Sequence, residues 1–228
     1  GGMPILWHIM KTYSKHGFND FIICLGYKGY VVKEFFSNYF LHKTDVTINL
    51  KNNSIDTHET EAEPWKITLV DTGKDSMTGG RIKRIQKYVK DETFMLTYGD
   101  GVSNVNIKKL VSLHKNNNSI CTLTSVMPPA RFGALEIGED QKIKSFLEKP
   151  EGDGLWINGG YMICEKEVFN YITDDKTSWE QHALPELAKQ GKLSSYKHTG
   201  FWRPMDTLND KYTLNKLWNS NEAEWKIW

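Results

Sequence analysis

Phe94-Met95-Leu96-Thr97-Tyr98-Gly99-Asp100-Gly101 is an apolar run that ends in a carboxylate set between two glycines. A short, continuously apolar segment stopped by Gly and Asp fits a strand buried on both faces, as in a parallel or mixed sheet with helices on either side. The segments around it repeat the pattern. Upstream, Phe21-Ile22-Ile23-Cys24-Leu25 ends at Gly26, and Ile67-Thr68-Leu69-Val70 ends at Asp71-Thr72-Gly73. Between them, residues 4–15, 29–41 and 78–89 place apolar side chains three and four apart, which predicts helices. Downstream, a helix is expected over 107–114, then a strand over 120–126. This alternation of strands and helices predicts an α/β fold with a mixed, mostly parallel central sheet.

The rhythm changes after Pro128-Pro129. Strands are expected near 134–137, 143–148, 156–164 and 193–198, and helices near 166–172, 179–190 and 207–219. No repeat, low-complexity stretch or linker divides the chain. Residues 1–228 therefore read as one domain, with an α/β part over about 1–127 and a β-rich elaboration over about 128–228. Asp45–Glu63 is polar and suggests an exposed hairpin arm. Hydrophobic content is 39% and charged content 25%, ordinary for a globular protein. The formal net charge of +1 offers no basic field for nucleic acid. No apolar run approaches the roughly 20 residues that span a bilayer. Cys24, Cys121 and Cys164 are too scattered for a disulfide framework or zinc site, so buried thiols in a reducing, cytoplasmic setting are expected. The seven histidines show no metal-ligating spacing, and no nucleophile elbow is present.

Five segments carry residue types suited to phosphate or sugar chemistry. Asp100, at a strand's end, can hold a hard cation, with Gly99 allowing close approach; the same residues also make an ordinary Asp-Gly turn. Ser76-Met77-Thr78-Gly79-Gly80-Arg81 opens a helix whose first N–H groups can meet an anion or a base's acceptors; Thr78 could instead be a plain N-cap. Lys149, in Glu148-Lys149-Pro150, could hold a phosphate or merely end a strand. Asn158-Gly159-Gly160 interrupts a strand, and its amide can both donate to and accept from a sugar hydroxyl. Asp206 precedes the last helix, either as an N-cap or as a second metal carboxylate.

Taken in order, these segments resemble the sugar-nucleotidyltransferase family, and its cytidylyl-transferring branch in particular. The match runs from Pro4-Ile5-Leu6-Trp7-His8 through Val70-Asp71-Thr72-Gly73, Ser76–Arg81, Tyr98–Gly101, Arg131-Phe132-Gly133-Ala134-Leu135, Glu148–Pro150 and Asn158–Gly160 to Pro204-Met205-Asp206-Thr207. The resemblance implies a Rossmann-like three-layer fold and transfer of a cytidylyl group from CTP to glucose 1-phosphate. The product would feed dideoxysugar and surface-polysaccharide synthesis. It implies Mg²⁺ held by Asp100 and Asp206, with Lys149 as a further catalytic residue on the sugar's phosphate. Ser76, Thr78, Gly79, Arg81 and Gly99 would bind the nucleotide, and Gly133, Glu148, Asn158 and Gly159 the sugar phosphate. It also implies a homo-oligomer, a trimer or hexamer, to which the polar arm and the aromatic tail Trp218–Trp228 could contribute; alternatively the tail's Trp residues cap the core of their own chain. UTP or dTTP as donor, a metal-dependent glycosyltransferase and a non-catalytic binding module remain as alternatives. The family's Gly-rich phosphate loop would precede Pro4, and the sequence from Gly1 opens after it; without that loop the expectation is poor stability and no turnover.

Overall fold

The computed structural model describes residues 1–128, 134–137, 139, 141–147 and 155–228. In chain order the elements are α1 (Ile5–Lys15), β1 (Asp20–Leu25), α2 (Gly29–His42), β2 (Thr44–Asn49), β3 (Ser54–Thr60), β4 (Lys66–Asp71), α3 (Thr78–Arg84), β5 (Thr93–Thr97), β6 (Gly101–Ser103), α4 (Ile107–Asn117), β7 (Cys121–Val126), β8 (Ala134–Ile137), β9 (Ile143–Leu147), β10 (Ile157–Glu165), α5 (Leu184–Lys189), β11 (Leu193–His198), β12 (Trp202–Pro204) and α6 (Leu208–Asn219). The α/β class expected from the sequence is the class observed. Contacts divide the chain into two compact units: residues 1–18, 91–168 and 184–228, and residues 19–90 and 169–183.

The first unit is built on a four-stranded sheet ordered β11-β7-β10-β5. β11 runs parallel to β7, whereas β10 is antiparallel to both β7 and β5. The sheet is thus mixed, and β10 is the strand that carries Asn158. Ile9, Met10, Tyr13, Ile107, Leu110, Met162, Ile163 and Leu187 are almost wholly buried and form the core. Tyr13 stacks on Tyr161 at 5.9 Å between ring centroids. His114 is also buried; its Nδ1 lies 2.8 Å from the Thr122 hydroxyl and its Nε2 2.9 Å from Glu165. That pairing satisfies a polar group in the core. Cys121 and Cys164 face each other on β7 and β10 as free thiols, Sγ to Sγ 3.7 Å.

The aromatic tail settles on its own unit. Trp225 is 2% exposed, and its indole Nε1 donates to His8 Nδ1 at 3.3 Å. Trp7, Trp218 and Trp228 complete the ring of indoles around His8. Of the two roles open to the tail, the structure shows it packing against α1. Burial drives the His8 pKa down to about 4. An unfolded histidine titrates near 6.5, so the unfolded chain takes up a proton that the folded chain refuses. Stability is therefore full above about pH 6.5 and falls as the pH drops towards 4. The expected loss is on the order of 3 kcal/mol across that window. Urea midpoints measured from pH 7 to 4.5 check it, and His8→Gln should flatten this part of the profile.

The second unit holds the parallel pair β1–β4, with Phe21 opposite Ile67 and Leu25 opposite Asp71. Leu25, Val70, Ile82, Ile85 and Trp179 fill its core. β2 and β3 form an antiparallel hairpin, the arm expected from the sequence. The helix anticipated over 78–89 is shorter: α3 stops at Arg84, and a single 3₁₀ turn, Gln86–Tyr88, follows. Residues 179–190 form a π turn, Trp179–Ala183, before α5 begins. Among the described residues, no helix is long and apolar enough to cross a membrane.

Candidate active site

Two carboxylates far apart in sequence meet in the first unit. β6 and β12 pair antiparallel, with Gly101 opposite Pro204 and Ser103 opposite Trp202. Next to this ladder, the backbone N–H of Met205 donates to the carbonyl of Asp100 at 2.7 Å. Asp100 and Asp206 are thereby brought to one end of a short two-stranded ribbon, close enough to interact. The Asp100 pKa is raised, first by loss of solvent and then by the like charge of Asp206. Two neighbouring carboxylates at a strand end carry a repulsion that a bound cation would relieve.

The helix-capping duty that Asp206 could have had falls elsewhere. Thr207 is the N-cap of α6; its hydroxyl accepts from Asp210 N–H at 3.1 Å, and Asp210 accepts from the Thr207 N–H at 3.0 Å. This reciprocal cap explains the start of the helix without Asp206. Among the described residues, no group of three or more His, Cys, Asp or Glu side chains could hold a metal ion. A pair of carboxylates suits a small hard cation that keeps most of its shell as water and phosphate oxygens, the habit of Mg²⁺.

Asn158 belongs to the same unit and lies where the β10–β7 register breaks between residues 158 and 162. Its Nδ2 donates to the Tyr98 hydroxyl at 3.1 Å, and its Oδ1 accepts from Gly160 N–H at 2.9 Å. Gly159 is pressed against β7; an added Cβ would lie 2.8 Å from a Val126 methyl. The Gly159 carbonyl accepts from the Trp202 indole at 2.8 Å, so β12 braces the bulge as well as carrying the chain to Asp206. Gly99 faces open space, with nothing near the position a Cβ would take. Tyr98 and Trp202 were missed as functional candidates, because the signal is a hydrogen bond between strands that sequence spacing does not show. Gly133, Glu148 and Lys149 lie outside the described residues.

The 72–81 segment belongs to the second unit, and its Arg81 and Thr78 side chains are engaged within that unit. Arg81 Nη1 donates to the Thr72 hydroxyl at 2.9 Å and to the Leu25 carbonyl at 3.2 Å; Nη2 donates to the Lys74 carbonyl at 3.2 Å. The guanidinium thus organises the loop that carries Gly73 and Ser76. Thr78 is not the N-cap; Met77 is, and the Thr78 hydroxyl donates to Glu180 at 2.6 Å and accepts from Trp179 N–H at 2.9 Å. Two backbone donors at the helix start are also used, Met77 N–H by the Asp175 carbonyl and Gly80 N–H by the Thr177 carbonyl. Gly79 and Gly80 are buried where residues 175–177 cross the helix.

The nucleotidyl transferase family profile matches residues 1–220. The glucose-1-phosphate cytidylyltransferase of Salmonella typhimurium is 55% identical over 229 residues, covering 100% of this chain and 89% of that protein. A probable glucose-1-phosphate cytidylyltransferase of Bacillus subtilis is 42% identical with the same coverage. Among solved structures, HddC from Yersinia pseudotuberculosis superposes with a TM-score of 0.65 at 21% identity, covering 96% of this chain and 91% of that one, which speaks for the fold alone. With a profile spanning almost its whole length and relatives of this identity, the chain belongs to the nucleotidyl transferase family.

Proposed function

We propose that this protein, as one nucleotidyltransferase domain, transfers a cytidylyl group from CTP to α-D-glucose 1-phosphate, giving CDP-glucose and pyrophosphate. The observation that carries the reading is the meeting of Asp100 and Asp206 at the β6–β12 ribbon, in a chain 55% identical to a glucose-1-phosphate cytidylyltransferase. A phosphate oxygen of the sugar attacks the α-phosphorus of CTP. The new O–P bond forms as the bond from the α-phosphorus to the bridging oxygen breaks, and pyrophosphate leaves with those electrons. Positioning and charge neutralisation supply most of the rate in such a displacement. Nucleotidyltransferases of this family generally use a divalent metal; we assign Mg²⁺, which would supply positive charge to the phosphate oxygens.

Asp100 and Asp206 would hold that ion, and Lys149 the sugar's phosphate. Asn158, Gly159, Glu148 and Gly133 would bind the sugar phosphate. Ser76, Thr78, Gly79, Arg81 and Gly99 would bind the nucleotide, Arg81 chiefly by holding the 72–76 loop. The product suits dideoxysugar and surface-polysaccharide synthesis in the cytoplasm. The test is pyrophosphate release by the full-length protein with glucose 1-phosphate and Mg²⁺, using CTP, UTP, dTTP or GTP as donor. CTP should exceed each of the others by at least about 10²-fold in kcat/KM, because a pocket built to hydrogen-bond one base leaves groups unpaired with another. Equal rates with UTP or dTTP would move the assignment within the family. CDP-glucose binding without turnover would favour a binding module.

We also assign a homo-oligomer, a trimer or hexamer. Tyr27, Tyr30, Phe40, Leu41, Ile48, Leu50 and Ile55 are all exposed, Leu50 at 88%, and they fall on or beside α2 and the β2–β3 hairpin. Such clustering of apolar side chains marks a surface that is covered in use. Light scattering should give a mass at least three times that of the chain, and Leu50→Asp with Tyr30→Asp should lower it. A wild-type monomer at micromolar concentration would contradict this assignment.

A further inference from the structure

We propose that Tyr98 is a positioning residue, whose hydroxyl fixes the carboxamide of Asn158 in the orientation that receives the sugar. The proposal rests on the reading of Asn158 as a sugar-phosphate residue and extends it to Tyr98, a side chain that its motif carried without a role. Tyr98 leaves the end of β5 two residues before Asp100. Its backbone N–H donates to the Gly160 carbonyl at 3.0 Å, which ties the strand end to the bulge of β10. Gly160 has φ +79°, and a Cβ there would stand 2.8 Å from the Tyr98 ring. The ring therefore packs directly under the bulge. A phenylalanine would fill that space equally well. The hydroxyl is what a phenylalanine lacks, and it meets Asn158 Nδ2 at 3.1 Å.

The bulge is what makes such a brace useful. Where β10 departs from its ladder, regular strand geometry no longer dictates how residue 158 projects. A carboxamide has two N–H donors and an oxygen with two lone pairs. In Asn158 the oxygen is held by Gly160 N–H and one N–H by the Tyr98 hydroxyl, so the two ends cannot exchange places without losing both bonds. That leaves Asn158 with capacity for one further donation and one further acceptance, the pair of bonds that a sugar hydroxyl takes. Without the phenol the carboxamide keeps only its tie to Gly160 and is free to turn. Tyr98 thus acts through Asn158 and touches no reacting atom itself.

A double-mutant cycle on the full-length protein tests this, using Tyr98→Phe, Asn158→Ala and the double variant, with CTP, α-D-glucose 1-phosphate and Mg²⁺. Tyr98→Phe should raise KM for the sugar phosphate about 5- to 10-fold, the effect of one lost hydrogen bond, while kcat and the KM for CTP change less than about twofold. In the Asn158→Ala background the same substitution should change the sugar-phosphate KM less than about twofold, since nothing is left to orient. Thermal midpoints of the single variants show whether either has lost its fold. Equal effects of Tyr98→Phe in both backgrounds, or a uniform fall in kcat with a lowered midpoint, would make Tyr98 a packing residue and overturn the proposal. Should Asn158→Ala raise the sugar KM while Tyr98→Phe does not, the proposal alone falls. If Asn158→Ala leaves that KM unchanged, the sugar reading of Asn158 falls and the proposal goes with it.

Discussion

Asp100→Asn should lower kcat/KM by at least about 10³ and leave the protein as stable as before, or slightly more so. The two effects have one cause. Loss of solvent and the neighbouring charge of Asp206 raise the Asp100 pKa, so the folded chain holds this carboxylate in its ionised form less willingly than the unfolded chain does. At neutral pH the charge is therefore a cost of folding, and removing it is a gain. In the same way, the contribution of Asp100 to stability rises as the pH falls through its raised pKa. Asp100 lies at the surface, so the gain is small, about 0.2–1 kcal/mol. For a chain of this length that is a rise of roughly 1–3 °C in Tm. Activity goes the other way, because an amide offers the cation a single neutral oxygen in place of a charged carboxylate. Thermal melts with and without a divalent cation and CTP separate the two terms. The ligands should raise the Tm of the wild-type protein and have much less effect on Asp100→Asn. A large fall in the Tm of the variant would make Asp100 a structural residue.

Gly80→Ala should have the largest effect on stability. Alanine is favoured over glycine inside a helix by about 1 kcal/mol, and on that ground alone the substitution would stabilise α3. The packing reverses the sign. A Cβ on Gly80 would lie 2.5 Å from the Cα of Asp175 and 2.6 Å from its carbonyl oxygen. Both are backbone atoms, which cannot swing aside as the end of a long side chain can. Relief requires α3 and residues 175–177 to separate, which breaks the bonds from Met77 N–H to Asp175 and from Gly80 N–H to Thr177. Overpacking of this kind costs about 1–3 kcal/mol or more, enough to exceed the propensity gain. Tm should fall by roughly 5 °C or more, and KM for CTP should rise as the 72–81 segment loses its support. Asp175→Ala is the contrast. It removes the paired contacts with Arg84, but both side chains are about half exposed, so the loss should stay within about 1 kcal/mol. An equal or larger effect of Asp175→Ala would mean that the ion pair, and not close backbone approach, holds this junction.

Much of this architecture could be read from the sequence because the strands that build the sheets are continuous apolar runs with punctuation. Phe21–Leu25, Ile67–Val70 and Phe94–Thr97 all appear as strands, each within a residue or two of its expected limits. The polar stretch after Asp45 also forms the expected hairpin. What failed was local and has a local cause. The π turn at Trp179–Ala183 has helical spacing in sequence, and its Trp is buried like a helix residue, so periodicity alone could not separate it from α5. β6 and β12 are three residues each, too short to carry a pattern. Yet these two strands bring Asp100 and Asp206 together. The pairing of the carboxylates was legible only through resemblance to a family, whereas its physical basis is a ladder that no period of two could reveal. Asp206 shows a related limit. The residue before a helix reads naturally as an N-cap, and only the reciprocal bonds of Thr207 and Asp210 show that the cap lies one position on.

The account depends most on one cation shared by two side chains 106 positions apart. Binding of Mn²⁺, followed by electron paramagnetic resonance as the ion is titrated into the full-length protein with CTP, measures that directly. The wild-type protein should show one site tighter than Mn²⁺ bound to CTP alone, and Asp100→Asn and Asp206→Asn should each weaken it by at least about tenfold, with the double variant little worse than either. Unchanged affinity in both single variants would contradict the account, as would independent, additive losses pointing to two separate ions.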